Sequence, residues 1–169
     1  MKHLFSKLAL TALVIAVPTV LSAHEYKLGE IEIGHPYSRA MLPMAKVGGG
    51  YLKLTNNGPD DRLIGGTSDR AGSVEVHEMK IDRGIMIMRE MQGGIAVPAN
   101  STVELKPGSY HIMFMDVAQP FKEGEKIKAS LNFEKAGSID VEFVVRPVAG
   151  NAPEMNHDHH GDAHGEHGK

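Results

Sequence analysis

The sequence contains no cysteine and no tryptophan among its 169 residues. Without a thiol the chain cannot form a disulfide, a thiolate metal site, an iron–sulfur cluster or a lipid-modified cysteine anchor. It also lacks any block of lysines and arginines, and its net charge of −3 argues against nucleic acid as a partner. Hydrophobic residues make up 41% of the chain, which is enough for one packed domain, so wholesale disorder is not expected.

The first 23 residues have the organisation of a signal peptide. Lys2 and Lys7 precede an apolar run that closes on the small-residue site Leu21-Ser22-Ala23. A membrane-spanning helix needs about 20 apolar residues. This run is shorter and contains Pro18, which disfavours the alternative of an uncleaved anchor. We predict export and cleavage at that site, which makes His24 the mature N-terminus and residues 24–148 the folded domain.

Short apolar stretches alternate with turn residues through the middle of the chain, and no long stretch has helical periodicity outside the leader. This spacing predicts an antiparallel β-sandwich or barrel. The Gly48-Gly49-Gly50 run precedes no helix, so we interpret it as a bulge or a close backbone approach. The predicted strands are Gly29–Ile33, Val47–Thr55, Arg62–Thr67, Ser73–Ile81, Ile85–Arg89, Thr102–Leu105, Tyr110–Met115, Lys126–Phe133 and Ser138–Arg146.

Methionine and histidine, with ten residues each, are sorted onto one side of three predicted strands. Side chains alternate between the two faces of a strand. On the face opposite the apolar residues, the three strands carry His77 with Met79, Met86 with Met88, and His111 with Met113 and Met115. Methionine often only fills gaps in a core, and a lone histidine such as His35 is often structural. That interpretation is weaker here because other apolar residues already supply the opposite face.

Thioether and imidazole groups together favour copper. Sulfur of this kind is a soft, neutral donor, imidazole suits several transition metals, and Cu(I) is the physiological ion that favours the mixture. Zinc recruits thiolate, imidazole or carboxylate, whereas calcium and magnesium need oxygen. Two His and two Met ligands would give a cationic, roughly tetrahedral Cu(I) site. Exposed methionine ligands could then be exchanged one by one for those of an acceptor, which is a transfer chemistry.

Three stretches resemble the periplasmic copper chaperones of the PCu(A)C type. They are Val76-His77-Glu78-Met79, Gly84-Ile85-Met86-Ile87-Met88-Arg89 and Leu105-Lys106-Pro107-Gly108-Ser109-Tyr110-His111-Ile112-Met113. Ten residues separate His77 from Met88, and twenty-two separate Met88 from His111. With Met113 two positions further on, this is the family's His…Met…His-x-Met signature. Supporting similarity extends over residues 33–40 and 45–52, so most of residues 25–147 is covered.

The resemblance implies a cupredoxin-like, antiparallel Greek-key β-sandwich that binds Cu(I) and delivers it to the binuclear copper centre of cytochrome c oxidase. It implies four ligands, with Met79 and Met86 as alternates or second-sphere residues and no ligand role for Tyr37. It further implies a monomeric, non-enzymatic periplasmic protein. Its partners would be the copper-bearing oxidase subunit and another, thiol-containing copper chaperone, and it would meet the membrane only through its acceptor. The implied ligands are His77, Met88, His111 and Met113.

Residues 149–169 form a segment of different composition. From Asn151 onward it has no Val, Ile, Leu or aromatic residue, so it cannot form a packed core, and we predict a flexible tail. Several imidazoles on one mobile chain can wrap Cu(II). The alternative is a solvated tail with adventitious metal affinity. The candidate tail ligands are Met155, His157, His159, His160, His164 and His167.

Other functions compete with delivery. A copper buffer for metal tolerance would use the same ligands. A histidine-brace copper enzyme could use the amine and imidazole of His24, but it needs a second histidine such as His35. A metal-free sandwich used for adhesion would leave the Met/His sorting unexplained. Hydrolase motifs are absent, and blue-copper electron transfer is excluded because it needs a cysteine thiolate.

Overall fold

The structure, a computed structural model, describes residues 25–148, which form eleven β-strands. The predicted signal peptide, His24 and the tail from residue 149 lie outside the described residues. None of the residues from 25 to 148 belongs to a helix that could cross a bilayer. The strands are β1 Glu25–Leu28, β2 Ile31–Arg39, β3 Gly48–Asn56, β4 Asp61–Thr67, β5 Ser73–Asp82, β6 Ile85–Glu90, β7 Ile95–Val97, β8 Ser101–Leu105, β9 Tyr110–Met115, β10 Lys126–Phe133 and β11 Gly137–Arg146.

The strands form one sheet that closes on itself. Its order is β1-β2-β11-β10-β4-β5-β9-β3-β8, and an additional pairing of β2 with β3 completes a barrel-like ring. Strands β6 and β7 lie off this path, paired with β5 and β4. The pairings are antiparallel except that of β11 with β2, which is parallel. The predicted all-β, sandwich-like fold is confirmed, with the parallel pair as an addition to the antiparallel prediction.

The interior is filled by alternate residues of the strands. On β3 the buried positions include Leu52 and Leu54, with Lys53 exposed between them, as the two-residue repeat of a strand requires. Phe114 lies at the centre, with edge-on contacts to Phe121 and Phe143 at ring-centroid distances of 5.3 and 5.4 Å. Edge-to-face pairs at this separation are a favourable aromatic geometry.

The triple glycine Gly48-Gly49-Gly50 forms the start of β3 and allows a close approach of the core. A Cβ atom added at Gly50 would lie 2.9 Å from a ring carbon of Phe114 and 3.0 Å from one of Phe143. At Gly48 it would lie 2.9 Å from a ring carbon of Phe121. The prediction of a close backbone approach at this run is therefore confirmed.

Strand boundaries agree with the prediction to within one residue, except at the N-terminal end and at two short strands. Strands β9 and β10 begin and end as predicted. The predicted start at Gly29 is wrong, because Gly29 occupies the turn after β1 with a φ of 57°. Strand β2 also continues through Pro36, where its register to β3 shifts and a proline costs no ladder hydrogen bond. The sequence did not reveal β1 or β7, which have four and three residues.

Candidate metal centre

The predicted sorting of Met and His is present on the outward face of three neighbouring strands. On β5 the residues Val74 and Val76 enter the core, so His77 belongs to the opposite side. On β9 the buried Ile112 and Phe114 alternate with Met113 in the same way. We call this outward side the Met/His face, and we define it by His77, Met79, Met86, Met88, His111 and Met113.

The strand register places His77 at the centre of this face. His77 is the direct cross-strand partner of His111 on β9, and their ring centroids are 6.0 Å apart. Met113 is opposite Glu75, and Met88 is opposite Met79, so both methionines are diagonal neighbours of His77. Diagonal neighbours in an antiparallel sheet lie about 7–8 Å apart, within the reach of long side chains.

The two alternate methionines, Met79 and Met86, lie on the same face at different distances from the histidines. Met79 follows His77 by two positions on one strand and faces Met88 directly. Met86 is one step further towards the hairpin, opposite Ile81. By register alone, Met79 is therefore closer to the two histidines than Met86.

Each histidine has one ring nitrogen held and the other without a partner. His111 Nδ1 donates to the carbonyl oxygen of Ser109 at 3.0 Å, and His77 Nε2 donates to Glu75 Oε2 at 2.9 Å. Because both acceptors lack a proton to give, the lone pair of each neutral ring lies on His111 Nε2 and on His77 Nδ1. Within the described chain these two atoms are the buried side-chain nitrogens or oxygens that lack a hydrogen-bond partner.

These two nitrogens show that the site fits a metal ion. A buried acceptor without a partner costs free energy unless it meets a donor or an ion. In a metal-binding histidine, one ring nitrogen usually donates a hydrogen bond to a protein group and the other presents its lone pair to the metal. Among residues 25–148 no group of three or more His, Cys, Asp or Glu side chains is placed to hold a metal. The thioethers beside the two imidazoles are therefore the candidates for the remaining ligands of an ion bound there.

Glu75 is a candidate site residue that the sequence interpretation missed. The hydroxyl of Ser73 donates to its Oε1 at 2.6 Å, while its Oε2 accepts from His77. The hydrogen bond from Ser73, and then that from His77, hold the pKa of the Glu75 carboxyl below its usual range. The signal was present in the sequence, since an acid two residues before a histidine on a strand shares its face.

Exposure rises steeply across the Met/His face. His111 has 3% of its surface exposed, whereas Met88 has 46% and Met86 has 64%. The two methionines lie on the β5–β6 ribbon, residues 79–88, whose β6 strand pairs with β5 alone within the described chain. On the other side of this hairpin Arg89 and Glu78 form an ion pair at 2.9 Å. A buried imidazole, His111, and a partly buried one, His77, are thus bordered by solvent-accessible thioethers.

Three further residues, His35, Tyr37 and Met41, lie away from this face. His35 is exposed at the irregularity of β2, where its φ is 52°. Tyr37 stacks on Tyr51 at 5.0 Å and lies under the guanidinium of Arg146 at 3.9 Å. Met41 packs on the core, and its sulfur accepts the amide of Phe121. The tail residues Met155, His157, His159, His160, His164 and His167 lie outside the described residues.

Comparison with known proteins shows the family. The chain belongs to the LpqE-like family, whose model matches residues 31–145 and whose description includes the word lipoprotein. The protein Lxx21020 of Leifsonia xyli subsp. xyli, also named with that word, is 28% identical over 143 residues, covering 85% of this chain and 86% of that protein. The predicted resemblance to the PCu(A)C type is confirmed by the similar solved structures.

Two of those structures define the similarity. The copper-bound PCuAC domain from PmoF2 is 30% identical, with a TM-score of 0.64, covering 74% of this chain and 99% of that domain. The solution structure of apo-DR1885 from Deinococcus radiodurans has a TM-score of 0.55 at 23% identity, covering 88% of this chain and 98% of that one. The second similarity shows the fold alone, whereas the first also supports copper binding.

Proposed function

We propose that this protein is a periplasmic copper chaperone that holds Cu(I) between His77, Met88, His111 and Met113 and passes it on. The observation that carries the proposal is the pair of buried, unpartnered nitrogens, His77 Nδ1 and His111 Nε2, on adjacent strands. The similar PmoF2 domain, which is copper-bound in its structure, supports copper as the ion.

The proposed donor set explains the preference for the cuprous ion. Two neutral imidazoles and two thioethers are soft ligands that need no deprotonation before they bind. The chain contains no thiol that bound copper could oxidise. Met79 and Met86 serve as alternates beside Met88, so the ion keeps sulfur ligands while one bond is exchanged.

Delivery follows from the gradient of exposure. An acceptor reaches Met88 first, because its side chain is 46% exposed on the β5–β6 ribbon, and the histidines are nearly covered. Replacement of the thioether ligands before the imidazoles keeps the ion bound throughout the transfer. We propose the copper-bearing subunit of cytochrome c oxidase as acceptor, with a thiol-containing chaperone as a further partner. Copper is the cargo, and no enzymatic step is proposed.

Export is part of the proposal. The family description and the name of Lxx21020 both include the word lipoprotein, which suits exported proteins. The leader with its cleavage site at Leu21-Ser22-Ala23 supports a soluble periplasmic form of this chain, which we propose to be a monomer. Sequencing the N-terminus of the secreted protein should give His24 as the first residue, and retention of the leader would contradict cleavage.

Titration with Cu(I) under a competing chelator tests the main site. We expect one tight equivalent for the mature wild-type protein and loss of that equivalent for the His77→Ala and His111→Ala variants. His35→Ala is the matched control, since this exposed histidine lies off the Met/His face. An unchanged affinity in both site variants would overturn the proposed ligands, and no tight binding in the wild type would overturn copper binding itself.

Delivery and storage are separated by mixing the Cu(I) form with a soluble copper domain of the oxidase. Movement of the metal to that domain, monitored through the domain's copper absorption spectrum, would support delivery. Retention of copper by this protein in the presence of excess acceptor would indicate a buffer instead.

The tail is proposed as a second copper site for Cu(II). Truncation before Asn151 removes the candidate ligands Met155, His157, His159, His160, His164 and His167. We expect the truncated protein to lose Cu(II) capacity and to keep its Cu(I) equivalent. Loss of both would refute two independent sites.

A further inference from the structure

The carboxylate of Glu75 connects two neighbouring side chains of β5 on the Met/His face. One oxygen accepts the hydroxyl of Ser73 at 2.6 Å, and the other accepts the Nε2 hydrogen of His77 at 2.9 Å. The three residues alternate along one strand, so their side chains project to the same side. Ser73 thus fixes the carboxylate, and the carboxylate fixes the imidazole.

This contact determines which nitrogen of His77 faces a ligand. A carboxylate oxygen only accepts, so the proton of the neutral ring lies on Nε2 and the lone pair lies on Nδ1. His77 Nδ1 is buried and lacks a partner within the described chain, as a metal-binding atom would before its ion arrives. If the ring carried its proton on Nδ1, a hydrogen would point to the position of the metal.

The two histidines are held by different means. His111 is oriented by the neutral carbonyl of Ser109, whereas His77 is oriented by a charged group. Glu75 is also the direct cross-strand partner of Met113, so its negative charge lies beside a further thioether of the face. An anion at this place offsets the charge of a cuprous ion held by neutral ligands.

We infer that Glu75 is a positioning residue for copper, which presents the Nδ1 lone pair of His77 to the ion and balances its charge. The inference rests on the proposed function and deepens it, because Glu75 acts through His77 and does not itself bind the metal. Removing a hydrogen-bonded partner of a ligating histidine typically lowers metal affinity by about 10–100-fold.

The test separates the hydrogen bond from the charge. In Glu75→Ala both are lost, whereas Glu75→Gln keeps an acceptor and loses the charge. Glu90→Gln is the matched control, because Glu90 lies across from His77 on β6 and its side chain makes no hydrogen bond among the described residues. Glu90→Gln thus removes one negative charge near the His77 imidazole and leaves the hydrogen bond between Glu75 and His77 intact.

The first readout is the nitrogen NMR spectrum of His77 in the copper-free protein, at a pH where the ring is neutral. We expect wild type and Glu90→Gln to show the form protonated at Nε2, and Glu75→Ala to show a mixture of both forms. The second readout is Cu(I) affinity, which should fall by about 10–100-fold in Glu75→Ala, less in Glu75→Gln and hardly in Glu90→Gln.

Unchanged ring protonation and unchanged affinity in Glu75→Ala would overturn the inference. If wild type bound no Cu(I), the proposed function would fail, while the NMR result would still decide whether Glu75 sets the ring. Circular dichroism checks that the variants fold. Should Glu75→Ala unfold, Ser73→Ala removes the bond that fixes the carboxylate and should weaken Cu(I) binding in the same direction.

Discussion

At the scale of single residues, the strand register leaves two methionines in competition for one coordination position. Met79 lies beside His77 on β5, while Met88 faces Met79 from β6. The resemblance to the PCu(A)C type favours Met88 as the ligand, and its more exposed strand would make it the easier of the two to release. In the proposed site, Met79 is the alternate ligand that would replace Met88 during transfer to an acceptor.

Replacing Met88 by alanine should weaken Cu(I) binding by about tenfold or more, equivalent to about 1.4 kcal/mol. Met79→Ala should have a smaller effect, because an alternate is not bound in the resting state. Chelator competition measures both, with Met44→Ala as control, since Met44 is 89% exposed outside the strands. A larger loss in Met79→Ala than in Met88→Ala would reverse the assignment.

Much of the Met/His face was predictable from sequence at this scale, but its hydrogen bonds were not. Alternation along each strand placed His77 and Met79 together, and the structure confirms that placement. Cross-strand register depends on distant turns and core packing, so the opposition of His77 and His111 could not be predicted. The role of Ser109 was also hidden, because a backbone carbonyl has no signature in the sequence.

At the scale of elements, β3 shows how a glycine run brings a strand against aromatic side chains. Gly50 is enclosed by Phe114, Phe143 and Ile112, all within 3.1 Å of an added Cβ atom. The sequence interpretation anticipated the close approach but not the residues it meets. By contrast β7 was missed, since three residues are too few to show a two-residue repeat.

The substitution Gly50→Ala should destabilise the protein by about 1–3 kcal/mol, because the methyl group overpacks a core of rigid rings. Urea denaturation measures the change. Gly34→Ala, in β2, is the matched control, since an added Cβ atom there has no neighbour within 4 Å. It should change stability by less than about 0.5 kcal/mol. Equal effects of both substitutions would show that packing at Gly50 is not the cause.

At the scale of the whole molecule, Asp61 joins two regions that are distant in the sequence. This side chain, 6% exposed at the start of β4, accepts the amides of Arg62 and Lys135 on one oxygen and that of Ala136 on the other. Burial alone would raise its pKa, but these three N–H donors outweigh burial and hold the pKa of the carboxyl below its usual range. The turn between β10 and β11 is thereby attached to β4.

Because the folded pKa of Asp61 is depressed, its stabilising effect is complete above the unfolded value of about 3.9 and is lost as the pH falls through the folded value. Asp61→Asn should therefore cost about 1–3 kcal/mol at neutral pH. The difference from wild type should shrink in acid. Urea denaturation at several pH values measures it, with Asp140→Asn, an exposed acid on β11, as control. A difference that grows on acidification would contradict this account.

The parallel contact between β2 and β11 joins the beginning of the described chain to its end. Until β11 has been synthesised, β2 and β10 each lack a neighbour, so a partial chain cannot seal its interior from water. A chain that has not yet made this contact stays unfolded, which would be compatible with the proposed export. We expect a chain truncated before Gly137 to give the poorly dispersed NMR spectrum of an unfolded polypeptide. If the protein is exported as proposed, folding would then begin only after the chain has crossed the membrane.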